Sequence, residues 1–207
     1  MYIPKINHIE NQAEIFDFIK NNGFATLISV DTEGVPLATH IPITLEFTPN
    51  KEPILRGHVS RANPHAQLFL ESPKALVIFQ GAHAYISSSW YTQENVSTWN
   101  YSAVHVYGTL RILTDDELWD SVGHLTAKYE AHVEKPLLME QMSTDSLKKE
   151  IRGIVGFEMT LDEVHAKAKL SQNRKDVDYQ RVVEALEKTT DGQAHEVARQ
   201  MKALRKL

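Results

Sequence analysis

Cysteine is absent from all 207 residues, which excludes disulfides, iron–sulfur clusters, Cys-ligated zinc and thiol nucleophiles. No apolar run approaches the ~20 residues that a membrane-spanning helix needs. The opening M-Y-I-P-K-I-N-H-I-E has no signal-peptide core. The patterns GxSxG, HExxH, GxGxxG and the P-loop are missing as well. The ten histidines are scattered, and His124 and His132 lie about two helical turns apart, too far to share one ion. The expectation is a cytoplasmic chain with no catalytic side chain of its own and no metal site.

Charge is present, and it is unevenly placed. The formal net charge is −5, yet residues 165–207 carry ten Lys and Arg against six Asp and Glu. An acidic body therefore ends in a basic tail, which fits either an anionic partner or a helix docked on the body.

Strand signals dominate the body. Residues 24–30 and 35–47 flank D-T-E-G, a hairpin turn, and Ile41, Ile43, Leu45 and Phe47 alternate with Thr44 and Glu46. Further strands are expected at 54–60, 75–80, 82–87, 101–113, 153–161 and 163–169. Helices are expected at Asn11 to Asn22, from about Asn63 to Leu70, at 144–151, and after the capping-box pattern Thr114-Asp115-Asp116-Glu117. The tail holds two amphipathic helices, with Tyr179, Val182, Val183 and Leu186, then Ala194, Val197, Ala198, Met201 and Leu204, facing inward. A meander of this kind predicts a small antiparallel barrel rather than a doubly wound parallel sheet.

Three stretches hold candidate binding residues. In I-L-R-G-H-V-S-R-A-N-P-H (54–65), Arg56, His58 and Ser60 share a strand face, and Gly57 admits close approach. Ser60, Arg61 and Asn63 then meet a helix start, a combination suited to phosphate or, equally, to loop capping. In G-A-H-A-Y-I-S-S-S-W-Y (81–91), His83, Tyr85 and Ser87 oppose Ala82, Ala84 and Ile86, and T-W-N-Y follows at 98–101. Polar–aromatic faces of this type line grooves for flat heteroaromatic ligands or cover barrel ends. In K-L-S-Q-N-R (169–174), Gln and Asn supply the donors and acceptors that a carbonyl–imide edge needs, although such a turn also stands without a ligand.

Together with A-T-H-I-P (38–42), H-A-Y-I-S (83–87) and V-H-V-Y-G (104–108), these motifs resemble, in order and over nearly the whole chain, the PaiB family. Its members are FMN-binding negative transcriptional regulators of the split-barrel class, which also holds pyridoxamine-phosphate oxidase-like and flavin reductase-like proteins. The resemblance implies a mainly β fold, a six-stranded antiparallel split β-barrel with inserted helices and a C-terminal helical pair. It implies a homodimer with FMN at the subunit interface, a barrel domain over 1–174, and a helical segment over 175–207 packed on the barrel or on the partner. It places His58, Ser60, Arg61 and Asn63 around the FMN phosphate and ribityl chain. Trp90, Tyr91, Trp99 and Asn100 would approach or close over the isoalloxazine, and Lys169, Ser171, Gln172 and Asn173 would complete the pocket. Arg56 and Arg111 are expected near the phosphate with Arg61. Ser88 and Ser97 stand where the family commonly has Pro.

The function implied is repression of protease production and sporulation, with DNA contacted directly or through another protein. Helices 177–187 and 193–206 mimic a helix-turn-helix, with Arg199, Lys202 and Lys206 on one face, or else form a packing pair. The runner-up is an FMN-dependent oxidoreductase or flavin reductase, in which the cofactor carries the chemistry. A haem-binding split barrel is third.

Overall fold

In the computed structural model, which describes residues 1–205, Asp31 turns the chain between the first two strands. Its Oδ1 accepts from the N–H groups of Glu33 and Val35 at 2.9 and 2.8 Å, and Gly34 takes the left-handed φ of 84°. The strands β1 (Phe24–Val30) and β2 (Pro36–Phe47) thereby pair antiparallel, from Phe24↔Pro42 to Val30↔Pro36. Then follow β3 (Pro53–Ser60), β4 (Lys74–Ile86), β5 (Thr98–Ile112), β6 (Ile154–Thr160) and β7 (Glu163–Lys169). The order is β4-β1-β2-β3-β6-β5-β7, and an additional β4–β5 pairing closes it into a ring. The mainly antiparallel split-barrel class is therefore observed: among the described residues six strands, β4-β1-β2-β3-β6-β5, make up the ring, which is not a clean barrel, and β7 is added beside β5.

Two boundaries differ from expectation. The strands expected at 75–80 and 82–87 are one, because Gly81 makes no turn and the Phe18 ring lies against it. The strand expected from 101 begins at Thr98, which puts Trp99 and Asn100 on β5. Among the described residues the α-helices are α1 (Gln12–Asn21), α2 (His65–Glu71), α3 (Asp115–Glu130), α4 (Thr144–Ile151), α5 (Asp176–Glu187) and α6 (Gly192–Arg205).

The chain forms two compact units. One comprises Met1–Phe18, Phe79–His105 and the chain from His165 onward. Its core joins Ala84 and Ile86 of β4 to the inward faces of α5 and α6, where Tyr179, Val182, Val197 and Met201 are fully buried. The Tyr179 hydroxyl donates to the Met201 carbonyl at 2.8 Å, and the Arg205 guanidinium lies 3.8 Å from the Tyr179 ring centroid. Leu204, expected inward, is exposed, and Lys206 lies outside the described residues.

The other unit comprises Ile19–Ile78 and Val106–Val164. Here Phe157 meets Phe69 edge-on at 5.1 Å, and it also fills the space beside Gly57, where an added Cβ would lie 2.9 Å from the ring. The room that Gly57 leaves is thus taken by the core. Across the sheet, Arg56 of β3 and Arg111 of β5 are both register partners of Glu158 on β6. Arg56 Nη2 reaches Glu158 Oε2 at 2.8 Å and Nη1 reaches Glu46 at 3.4 Å. Arg111 Nε donates to Glu158 at 3.1 Å, and its other nitrogens donate to Glu117 at 2.9 and 2.8 Å.

Glu117 also closes the capping box of α3, accepting from the Thr114 N–H at 2.9 Å. The Arg111 hydrogen bond, then that from Thr114, lowers its pKa from 4.5 to about 2. A depressed carboxylate stabilises the fold above its unfolded pKa, and that contribution disappears as pH falls through the folded value. Glu117→Gln should therefore cost about 1 kcal/mol at neutral pH, discounted for its exposure. In urea titrations the gap to the wild type should close as pH falls from about 4.5 toward 2; a constant gap would contradict the assignment.

Ser88 opens a 3-10 turn over Ser88–Trp90, and Ser87 before it is already extended, with φ −71° and ψ 140°. Both conformations suit a proline at 88. Ser88→Pro is expected to raise stability by about 0.4–1 kcal/mol through the unfolded state. A lower urea midpoint would show that the Ser88 N–H is needed.

Candidate functional site

In the unit holding residues 19–78, β3 delivers its residues to a loop and then to α2. His58 is half-buried, and burial lowers its pKa. Ser60 is exposed at the strand end, its Oγ accepting the Ala62 N–H at 3.3 Å. Arg61 turns back on its own unit: Nε donates to the Arg152 carbonyl at 2.9 Å and Nη2 to the Ile154 carbonyl at 3.0 Å. Nη1 and the second N–H of Nη2 remain for a ligand. Asn63 is used at both ends, with Nδ2 donating to Thr39 Oγ1 at 3.2 Å and Oδ1 accepting the His65 N–H at 3.0 Å. Thr39 Oγ1 also lies 2.9 Å from Nδ1 of the fully buried His65. Arg61 and Asn63 line a cleft of about 560 Å³ with Pro64, Gln67 and Ile154. Arg56 and Arg111, expected beside a phosphate, are instead held by Glu46, Glu158 and Glu117.

In the unit holding residues 165–205, the K-L-S-Q-N-R turn lines a cleft of about 340 Å³ with Ile6, Val96 and Thr98. Ser171 adopts a left-handed φ of 61°, and its buried Oγ bonds the side chain of the buried Asn100 at 3.0 Å. Gln172 closes the turn, accepting the Leu170 N–H at 2.7 Å and donating to the Ala168 carbonyl. Asn100, Ser171 and Gln172 therefore shape the cleft from within, whereas Lys169 and Asn173 face it. Lys169 Nζ bonds Thr98 Oγ1, and burial first, then neighbouring Lys167 and Arg174, lower its pKa against the opposing influence of Tyr101. Lys167 lies over the Tyr101 ring at 5.0 Å, and Arg174 over the Tyr91 ring at 4.6 Å. Among the described residues, none of these three cations has a carboxylate within 4.0 Å.

The aromatic residues divide. Tyr91 is buried in the core of its unit, and Trp90 packs against that core while its carbonyl accepts from Arg181 Nε at 2.8 Å. Trp99 is 53% exposed, with His83 and Tyr85 rings each 6.0 Å away. These three form an exposed aromatic shelf on β4 and β5, and the sequence alternation at 82–86 correctly places His83 and Tyr85 on it. The two cations that sequence reasoning missed, Lys167 and Arg174, were legible as the period-2 partner of Lys169 and as the last residue of its motif.

FMN presents a doubly charged phosphate, a polyol and a flat ring with a carbonyl–imide edge. The donor chemistry fits such a group. One set offers the Ser60 hydroxyl and Arg61 Nη1; the other offers Lys169, Arg174 and the Asn173 amide. On the tail, Arg199, Lys202 and Arg205 are paired with Glu196, Glu187 and Asp176. No helix of the described residues is long and apolar enough to cross a membrane.

The family model described as "Putative FMN-binding domain" matches residues 1–163. The chain is 41% identical over 201 residues to the protease synthase and sporulation protein PAI 2 of Bacillus subtilis, covering 97% of this chain and 96% of that one. Its fold is similar to the FAD and heme binding protein of Mycobacterium smegmatis, at 19% identity and TM-score 0.62 over 79% of this chain and 73% of that one. It is also similar to the flavocytochrome Anf3 of Azotobacter vinelandii, at 13% identity and TM-score 0.59 over 86% and 78% of the two chains. Motifs, fold and whole-length identity agree: the chain belongs to the FMN-binding domain family, of the PaiB type that its sequence resembles.

Proposed function

We propose that the protein is an FMN-binding homodimeric transcriptional regulator, acting negatively on protease production and sporulation. The observation that carries the flavin part is the pair Lys169 and Arg174, two cations without carboxylate partners that line the cleft around a Ser-Gln-Asn turn in an otherwise acidic protein. The whole-length identity to the sporulation protein supports the regulatory part.

Ser60 and Arg61 offer donors to the phosphate, and His58 and Asn63 support the loop that holds them. Lys169 and Asn173 offer donors to the ring's polar edge, where a cation favours the electron-rich reduced flavin. Trp99 offers a stacking face, and FMN supplies reversible redox chemistry when bound. FMN lies at the subunit interface in this reading. The shared buried face and the Lys202–Glu187 ion pair favour α5 and α6 as a packing pair, so DNA is reached by another surface or through another protein.

Flavin fluorescence quenching tests the assignment. Arg61→Ala and Lys169→Ala should each weaken FMN binding about tenfold or more, the worth of a charge-assisted hydrogen bond. Unchanged titrations in both variants would remove it. Promoter footprinting separates the functions: salt-sensitive protection that survives Arg199→Ala and Lys202→Ala supports the regulator. NAD(P)H oxidation by flavin-loaded protein without any footprint would favour the oxidoreductase.

A further inference from the structure

The cleft beside Arg61 adjoins a second one of about 700 Å³, walled by α3 and α4; the two share Arg61, Asp115 and Leu118. Of the residues assigned to FMN above, this second cleft includes Arg61 alone. Lys148 and Arg152 stand one turn apart on and just after α4, both exposed, and no carboxylate lies within 4.0 Å of either among the described residues. Asp115 and Asp116 open α3, and the half-buried Trp119 follows on the same wall. Two cations, two carboxylates and an indole in one cavity of this size form a mixed set that few ligand classes satisfy. A bare anion would be repelled by the two carboxylates, and a sugar alone would leave the cations without a partner.

We propose that the α3–α4 cleft binds a nucleoside phosphate: phosphate on Lys148 and Arg152, ribose hydroxyls on Asp115 and Asp116, and the base on Trp119. Carboxylates accept from a vicinal diol, and an indole face stacks on any base. Because Arg61 borders both clefts, such a group is either a free nucleotide or the second half of a dinucleotide whose flavin half lies beside Arg61. The dinucleotide form rests on the flavin reading; the free-nucleotide form does not.

Calorimetric titrations with ADP, inorganic phosphate, FMN and FAD test the proposal. ADP should bind about tenfold or more tightly than inorganic phosphate, the stacked base being the difference. Lys148→Ala/Arg152→Ala should weaken ADP about tenfold or more while FMN binding holds; circular dichroism checks that this surface variant is folded. An FAD advantage over FMN that vanishes in the double variant assigns the group to a dinucleotide, and ADP binding without that advantage assigns a free nucleotide. The proposal is overturned if neither ADP binding nor an FAD advantage is seen, if either survives the double variant, or if inorganic phosphate matches ADP. Loss of FMN binding with ADP binding intact would remove the flavin reading alone.

Discussion

Glu158 is the direct cross-strand partner of Arg56 on one side and of Arg111 on the other. Its side chain is only 12% exposed, so its charge is screened little and must be balanced in place. Two neighbouring registers, β3–β6 and β6–β5, thus meet at one carboxylate. A slip of one residue in either would turn an arginine to the opposite face and leave Glu158 half-buried without one of its partners. Glu46 and Glu117 extend the chain of charge to β2 and to the first turn of α3, so strand register and helix entry are fixed together.

That network decides which cations remain for other work. The acidic body has few, and it commits Arg56 and Arg111 to the sheet. The tail commits Arg199, Lys202 and Arg205 to carboxylates on its own two helices. Among the cations left without a carboxylate within 4.0 Å in the described residues, Lys169 and Arg174 line one cleft, and Arg61, Lys148 and Arg152 line another. Cations without a carboxylate are costly to gather in one place, because their repulsion is uncompensated until an anion arrives. The lowered pKa of Lys169, to which burial and its two cationic neighbours contribute, is the local sign of that cost.

Much of this was written locally in the sequence. The Asp31 turn, the Thr114 capping box and the alternation at 82–86 each depend on residues within five positions, and each was legible. The inward faces of α5 and α6 were legible too from their 3.6-residue period, Leu204 at the chain's end excepted. Pairing at a distance was not. Nothing near Arg56 or Arg111 announces Glu158, so both looked available to a phosphate. The Arg61 contacts with backbone carbonyls at 152 and 154 leave no trace in composition, because a carbonyl has no residue identity. Arg199 and Glu196, three apart on one helix, formed a pair that sequence alone could have named, whereas Lys202 with Glu187 needed the fold.

The central claim is that clefts lined by carboxylate-free cations mark where this protein holds anionic ligands. The most direct measurement is a crystal structure of the protein grown with FMN. The account predicts phosphate or ring-edge oxygens against Arg61, Lys169 or Arg174, with Arg56 and Arg111 still bonded to Glu158. A flavin held away from all three, or a phosphate that has drawn Arg56 or Arg111 off Glu158, would contradict it.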